Sequence, residues 1–259
     1  MFDLADIATL PRPDRARPRP SLGLIGCGAF GAFILPHLER TFDVLVHDPA
    51  RDAADLPGTT AGLAGVGKQE IVVLAVPLAQ MRAVATAIAP HLRPGTLVVD
   101  VCSVKVAPLA VLEEVLPPHV DILGTHPLFG PQSGKNGIAG LRIALCPGRD
   151  RARARLAKRF LQRAFGLEVV VTTPEEHDRQ MAYVQGLTHI ISRIVLAMDV
   201  PPLELRTTTF DHLTRMVDTV RHDSEALFRT IARDNPFAAE VRERFAEATG
   251  EVLERLRPT

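Results

Sequence analysis

From residue 21 to residue 172, short apolar runs alternate with stretches whose apolar positions recur every three or four residues. The runs at 22–25, 43–47, 71–76, 96–101, 121–125, 141–146 and 167–172 read as strands, and 29–40, 78–89, 106–116 and 151–165 as helices. A short strand is expected near Thr59 and a helical turn near Leu63. The segment 71–76 (IVVLAV) is apolar throughout, as in a parallel strand covered on both faces. This order predicts an α/β fold, a doubly wound, mostly parallel sheet. After Pro174 the pattern is helical only. A long helix over 177–198 carries Met181, Val184, Leu187, Ile190, Ile191, Ile194, Val195 and Met198 around most of its circumference, which predicts burial on more than one side. Further helices are expected at 203–220 and 224–233. A last one follows Asn235-Pro236, with the stripe Val241, Phe245, Ala248, Val252 and Leu256. The expected organisation is a tail over 1–20, rich in proline and arginine, a sheet domain over 21–172 and a helical domain over 173–259. A helical unit of roughly 85 residues is small for independent stability, so it is expected to pack on the sheet domain and on a second copy of itself.

One stretch changes this picture from architecture to chemistry. Gly26, Gly28 and Gly31 fall at G-x-G-x-x-G spacing between the first strand and the first helix. In that context the first glycine permits a sharp turn and the second lets a pyrophosphate approach the backbone. The third lets helix and strand pack closely. The helix N-terminus then faces the anion. Asp48, at the end of the second strand, stands where a carboxylate would hydrogen-bond a ribose 2′-hydroxyl. A Rossmann-type dinucleotide site is the reading. Asp48 favours NAD, and Arg51 nearby softens the bias against NADP.

Composition narrows the field by exclusion. Thirty basic and thirty acidic side chains give a formal net charge of zero, which offers nucleic acid or an anionic membrane no field. Cys27, Cys102 and Cys146 have neither metal nor disulfide-framework spacing, which fits a reducing cytoplasm. No apolar run approaches the roughly 18 residues of a membrane span, and no secretory signal pattern opens the chain. No metal site is expected.

Ligands in such sheets bind beyond the carboxyl ends of the strands, so the residues there are the candidates. Asp100, Ser103 and Lys105 follow the strand over 96–101; the alternative is that Asp100 and Ser103 cap the next helix. His126 follows the strand over 121–125, held extended by Pro127, and can accept a proton near neutral pH; the alternative is a hydrogen-bonded structural histidine. Ser133, Lys135 and Asn136, in the glycine-rich loop over 130–140, supply donors for an anionic substrate, or form a solvated turn. On the long helix, Gln185 and His189 are four apart and Ser192 and Arg193 continue their face. Arg215 shares a polar face with Thr208, Asp211, His212 and Thr219. That face reads as solvated surface, although arginine is well shaped to clamp a carboxylate.

Taken together, these pieces resemble the prephenate and arogenate dehydrogenases of tyrosine biosynthesis. The matching segments are Gly-Cys-Gly-Ala-Phe-Gly (26–31), Leu-Ala-Val-Pro (74–77), Asp-Val-Cys-Ser-Val-Lys (100–105), Thr-His-Pro-Leu-Phe-Gly-Pro (125–131) and Gln-Gly-Leu-Thr-His (185–189). The loop Gly-Pro-Gln-Ser-Gly-Lys-Asn-Gly (130–137) is most similar to the plant-type arogenate enzymes. The resemblance implies an oxidative decarboxylation. A hydride passes to the nicotinamide, the ring carboxylate leaves as carbon dioxide and the ring becomes aromatic. By similarity, His126 accepts the substrate hydroxyl proton, and Ser103 orients His126 and touches the nicotinamide. His189 lies near the substrate with Gln185, Ser133 and Lys135 as further contacts, and Arg215 binds a substrate carboxylate. Gly26, Cys27, Gly28, Ala29, Phe30, Gly31, Asp48, Val76, Pro77 and Ser103 would hold NAD, with NADP as the alternative. The family's helical domain dimerises, which implies a homodimer through the C-terminal helices. Two other readings compete. One is a dehydrogenase of small β-hydroxy acids, disfavoured because residues 180–195 contain no lysine base. The other is a non-catalytic dinucleotide sensor, in which His126 would be dispensable.

Overall fold

The computed structural model describes residues 19–258. The predicted tail lies outside the described residues apart from Arg19 and Pro20. The chain divides into two compact units, Met1–Pro174 and Glu175–Thr259.

The first unit is built on an eight-stranded sheet of order β3-β2-β1-β4-β5-β6-β7-β8. Its strands are β1 (Ser21–Ile25), β2 (Asp43–His47), β3 (Thr59–Thr60), β4 (Ile71–Leu74), β5 (Leu97–Asp100), β6 (Asp121–Pro127), β7 (Arg142–Pro147) and β8 (Glu168–Val171). The helices are α1 (Ala29–Leu38), α2 (Leu63–Gly67), α3 (Leu78–Ile88), α4 (Val106–Val115) and α5 (Arg151–Phe165). All pairings are parallel except β6 with β7. The exception has a local cause: β6 and β7 are joined by a loop without a helix, and a parallel return would need a longer crossover.

The uninterrupted apolar runs are explained by cover on both sheet faces. In β4, Val72 and Leu74 join Val66, Met81, Ile88, Leu109 and Leu112 in one core. Ile71 and Val73 join Leu22, Leu24, Leu35 and Val46 in the other. Alternate residues of one strand thus feed opposite cores. At Gly23 the backbone of α2 approaches so closely that a Cβ would lie 2.5 Å from the Val66 carbonyl oxygen. Helix α5 starts on Asp150, whose carboxylate accepts from the amides of Ala152 and Arg153, and stops at Gly166 in the left-handed region (φ 67°). Arg149 donates to the carbonyls of Glu113, Leu116, Pro117 and Val120 at 2.6–3.0 Å, satisfying the last turn of α4.

Strand β6 runs two residues past its predicted end and takes in His126 and Pro127, paired with Ala144 and Ile143 of β7. His126 is therefore a strand residue, 3% exposed, rather than the first residue of a loop.

The second unit holds α6 (Pro174–Ala197), α7 (Thr208–Val220), α8 (Glu225–Arg229) and α9 (Ala238–Arg255), with one π-helical turn, Thr230–Asp234, after α8. Helix α7 begins at Thr208, five residues later than predicted. Thr207 caps it by accepting from the Phe210 amide at 3.1 Å, while Leu203 and Leu205 stand exposed before it. Within the single chain the apolar ring of the long helix is only partly covered. Val184, Ile194 and Met198 are exposed, whereas His177, Asp178, His189 and Ser192 are buried. Of these, His177, Asp178 and His189 have polar partners, while the Ser192 hydroxyl has none among the described residues. His177 Nδ1 pairs with Asp178 Oδ1 at 2.7 Å, and Asn235 Nδ2 donates to the Asp178 carbonyl at 2.8 Å. In α9 the predicted stripe is buried only at Val241; Val252 and Leu256 are exposed. No helix among the described residues is long and apolar enough to cross a membrane.

Candidate active site

The sheet reverses its winding between β1 and β4, and the glycine loop leaves β1 at that point. Gly26 has φ 94°, and a Cβ there would sit 2.3 Å from the Ala75 carbonyl oxygen. A Cβ on Gly31 would meet the Gly26 oxygen at 2.1 Å, whereas one on Gly28 would meet nothing within 4 Å. The first and third glycines are thus required by the protein's own packing, while the second faces open space. Gly28 precedes α1, which has no side-chain cap and no acidic residue in its first turn. Its N-terminal amides and positive dipole end are available to an anion. These residues fit a dinucleotide pyrophosphate.

Asp48 and Arg51 bracket the loop from the end of β2. Asp48 Oδ2 accepts from the Cys27 amide at 2.7 Å, and its Oδ1 accepts from Ala50 at 2.9 Å. Arg51 donates to the Cys27 carbonyl at 3.0 Å and to that of Asp55 at 2.6 Å. Burial pushes the Cys27 thiol up, with Arg51 opposing and Asp48 adding to the rise. Of the neighbouring cofactor candidates, Ala29 is exposed, Phe30 half-buried and Val76 buried. The Val76 carbonyl accepts from the Cys102 thiol at 3.7 Å. Pro77 stands at the N-cap of α3.

Past β5 the structure separates three residues that the sequence left grouped. Asp100 and Lys105 are both 0% exposed and form an ion pair. Lys105 Nζ also donates to the Thr125 carbonyl at 2.7 Å, Thr125 Oγ1 donates to the Asp100 carbonyl at 2.8 Å, and Asp100 Oδ1 accepts from the Cys102 amide at 2.8 Å. The pair is a brace tying the end of β5 to the end of β6, one residue before His126. Capping is not its role: α4 starts after Lys105 with no side-chain cap bond, so neither Asp100 nor Ser103 caps that helix. Ser103, half-buried, is left on the turn that the brace fixes. Burial holds the Cys102 thiol well above its usual range; Asp100 adds to this and Lys105 opposes it.

In the β6–β7 loop, Ser133 Oγ accepts from the Gly130 amide at 3.0 Å, so this hydroxyl shapes its own turn. Lys135 and Asn136 are exposed. A cavity of about 120 Å³ lies between α1, α5 and the sheet, lined by Phe30, Ile34, Val73, Val99, Leu123 and Phe160 among others. Its walls are almost wholly apolar, so it offers nothing to a charged substrate.

In the helical unit, His189 Nδ1 meets the Gln185 carbonyl at 2.9 Å and Nε2 meets Asp223 Oδ2 at 3.1 Å. Arg215 is exposed; its Nε donates to the Asp211 carbonyl at 3.1 Å, and it makes no ion pair among the described residues. Asp223 was not among the sequence candidates. It directly precedes the N-cap Ser224, which reads as turn chemistry, and nothing in the sequence links it to a histidine 34 positions earlier. No cluster of metal-ligating side chains occurs among the described residues.

Comparison with known proteins places this geometry. The family model described as prephenate dehydrogenase, nucleotide-binding domain, matches residues 50–171, which include Asp100, Ser103 and His126. Arogenate dehydrogenase 2 of Arabidopsis thaliana, chloroplastic, is 36% identical over 172 residues, covering 64% of this chain and 48% of that protein. Arogenate dehydrogenase 1 of the same plant, also chloroplastic, is 29% identical over 244 residues, covering 88% and 38%. The chain thus spans about half, or less, of the length of these curated relatives. Among solved structures, prephenate dehydrogenase from A. aeolicus in complex with hydroxyphenyl propionate and NAD+ superposes with a TM-score of 0.70 at 21% identity, covering 92% of this chain and 91% of that one.

Proposed function

We propose that the chain is a member of the prephenate and arogenate dehydrogenase family and carries out the NAD-dependent oxidative decarboxylation of prephenate to 4-hydroxyphenylpyruvate or of arogenate to tyrosine. The observation that carries this reading is that the glycine loop, Asp48, Ser103 and His126 all stand at the carboxyl ends of adjoining strands of one sheet. Gly26, Gly28 and the first turn of α1 bind the pyrophosphate, Asp48 the adenosine ribose, and Val76, Pro77 and Ser103 border the nicotinamide. Held there, NAD would supply the acceptor for the hydride that leaves the hydroxyl-bearing ring carbon. A ring nitrogen of His126 takes the proton of that hydroxyl, and Ser103 orients the imidazole. Loss of the ring carboxylate as carbon dioxide then aromatises the ring. Arg215 binds a substrate carboxylate, with Gln185, Ser133 and Lys135 as further polar contacts. The identity to plant arogenate dehydrogenases supports arogenate, and Asp48 supports NAD over NADP because its carboxylate repels a 2′-phosphate.

The exposed apolar residues Val184, Ile194 and Met198 of α6 and Val252, Leu253 and Leu256 of α9 support a homodimer through the helical unit. Three free, buried cysteines support a reducing, cytoplasmic setting. The direct test of the chemistry is His126→Ala. General-base work predicts a loss of about a hundredfold or more in turnover with NAD affinity retained. Unchanged turnover would remove His126 from the mechanism.

A further inference from the structure

His189 has no ring nitrogen to spare. Nδ1 faces the Gln185 carbonyl and Nε2 faces the Asp223 carboxylate. One turn along α6, Arg193 reaches the same place: its guanidinium donates to the Asp223 carbonyl at 3.1 Å, lies 3.6 Å from Glu225 and stacks over Phe228 at 5.0 Å. The short connection between α7 and α8 is therefore gripped twice by α6, once through the side chain of Asp223 and once through its backbone. Asp223 also ends α7, its amide donating to the Val220 carbonyl at 3.1 Å. Arg215 is on that helix, two turns upstream.

We propose that His189 and Asp223 form a latch that fixes α7 against α6, so that His189 is a positioning residue for Arg215 rather than a direct substrate ligand. This rests on the reading that Arg215 binds a substrate carboxylate. The geometry supplies the reason: an arginine clamp selects a carboxylate only when its helix is held in register, and the contacts of His189 and Arg193 with Asp223 tie the connection at the end of α7 to α6. Arg193 and Glu225 add one charge of each sign beside the pair.

The test is a double-mutant cycle with His189→Asn, Asp223→Asn and the pair, in the full chain, read by thermal melting, by KM and kcat with arogenate and prephenate, and by NAD affinity. A latch predicts that each single variant raises KM about tenfold and lowers the melting temperature, with kcat within about threefold and NAD affinity unchanged. The double variant is then no worse than the worse single one. Two results overturn the proposal. One is additive losses, or a silent Asp223→Asn beside a hundredfold loss in His189→Asn, either of which makes His189 act on substrate itself. The other is coupled melting with KM unchanged in the latch variants while Arg215→Lys raises KM. Arg215→Lys is the separate control: if it leaves KM unchanged, the reading of Arg215 fails, and the coupling in melting still reports on the latch.

Discussion

Replacing Lys105 by methionine tests the brace beneath the site. The methionine nearly keeps the volume and removes the charge, leaving the Asp100 carboxylate 0% exposed and without its cation, beside the Cys102 amide that donates to Oδ1 at 2.8 Å. Breaking one side of a buried ion pair costs about 3–5 kcal/mol, because the remaining charge stays desolvated. No discount for solvent screening applies at zero exposure. The loss is a large part of a typical domain stability of about 5–15 kcal/mol and corresponds to a fall of roughly 10 °C in melting temperature. The chain has no tryptophan, so urea unfolding is best followed by circular dichroism. Adding Asp100→Asn removes the stranded charge while keeping an acceptor for the Cys102 amide, and should restore at least half of the loss. Stability within about 0.5 kcal/mol of wild type for Lys105→Met, or a double variant weaker than the single one, would refute the reasoning.

Other outcomes follow from the same geometry. Gly28→Ala should fold with wild-type stability and lose dinucleotide binding, because its Cβ enters open space on the ligand side; Gly31→Ala should lose stability as well, its Cβ meeting the Gly26 oxygen at 2.1 Å. Calorimetric titration with NAD beside melting curves separates the two. Asp48→Ala should weaken NAD about tenfold and bring NADP to near parity, since Arg51 remains at the same rim; unchanged NAD affinity would remove Asp48 from the ribose. The Cys102 thiol is raised by burial, so the folded state holds this proton more tightly than the unfolded one. Its contribution is present below pH 9.0 and is lost as pH rises above that value. Neither Cys102 nor Cys27 should react with iodoacetamide at pH 8 in the native protein, and mass spectrometry would detect either adduct.

The alternation of strands and helices was legible because strands covered on both faces leave unbroken apolar runs, and the glycine spacing marked the loop between β1 and α1. The end of β6 was not. Proline normally closes a strand, and only the antiparallel partner β7 extends this one through His126 and Pro127. Asp100 and Lys105 sit five apart, where local statistics speak for capping; their pairing exists only once β5 and β6 are adjacent. On α6 the apolar count pointed inward, but satisfied pairs such as His177 with Asp178 make a polar interior affordable and leave Val184, Ile194 and Met198 outside. Asp223 became visible only through its contact with His189.

The most direct measurement is the initial rate of nicotinamide reduction by the purified protein, with NAD and NADP each crossed against prephenate and arogenate. The account predicts turnover with at least one of the two substrates, faster with NAD than with NADP. Measurable NAD binding without turnover in any of the four combinations would contradict it and leave a dinucleotide-binding protein without this chemistry.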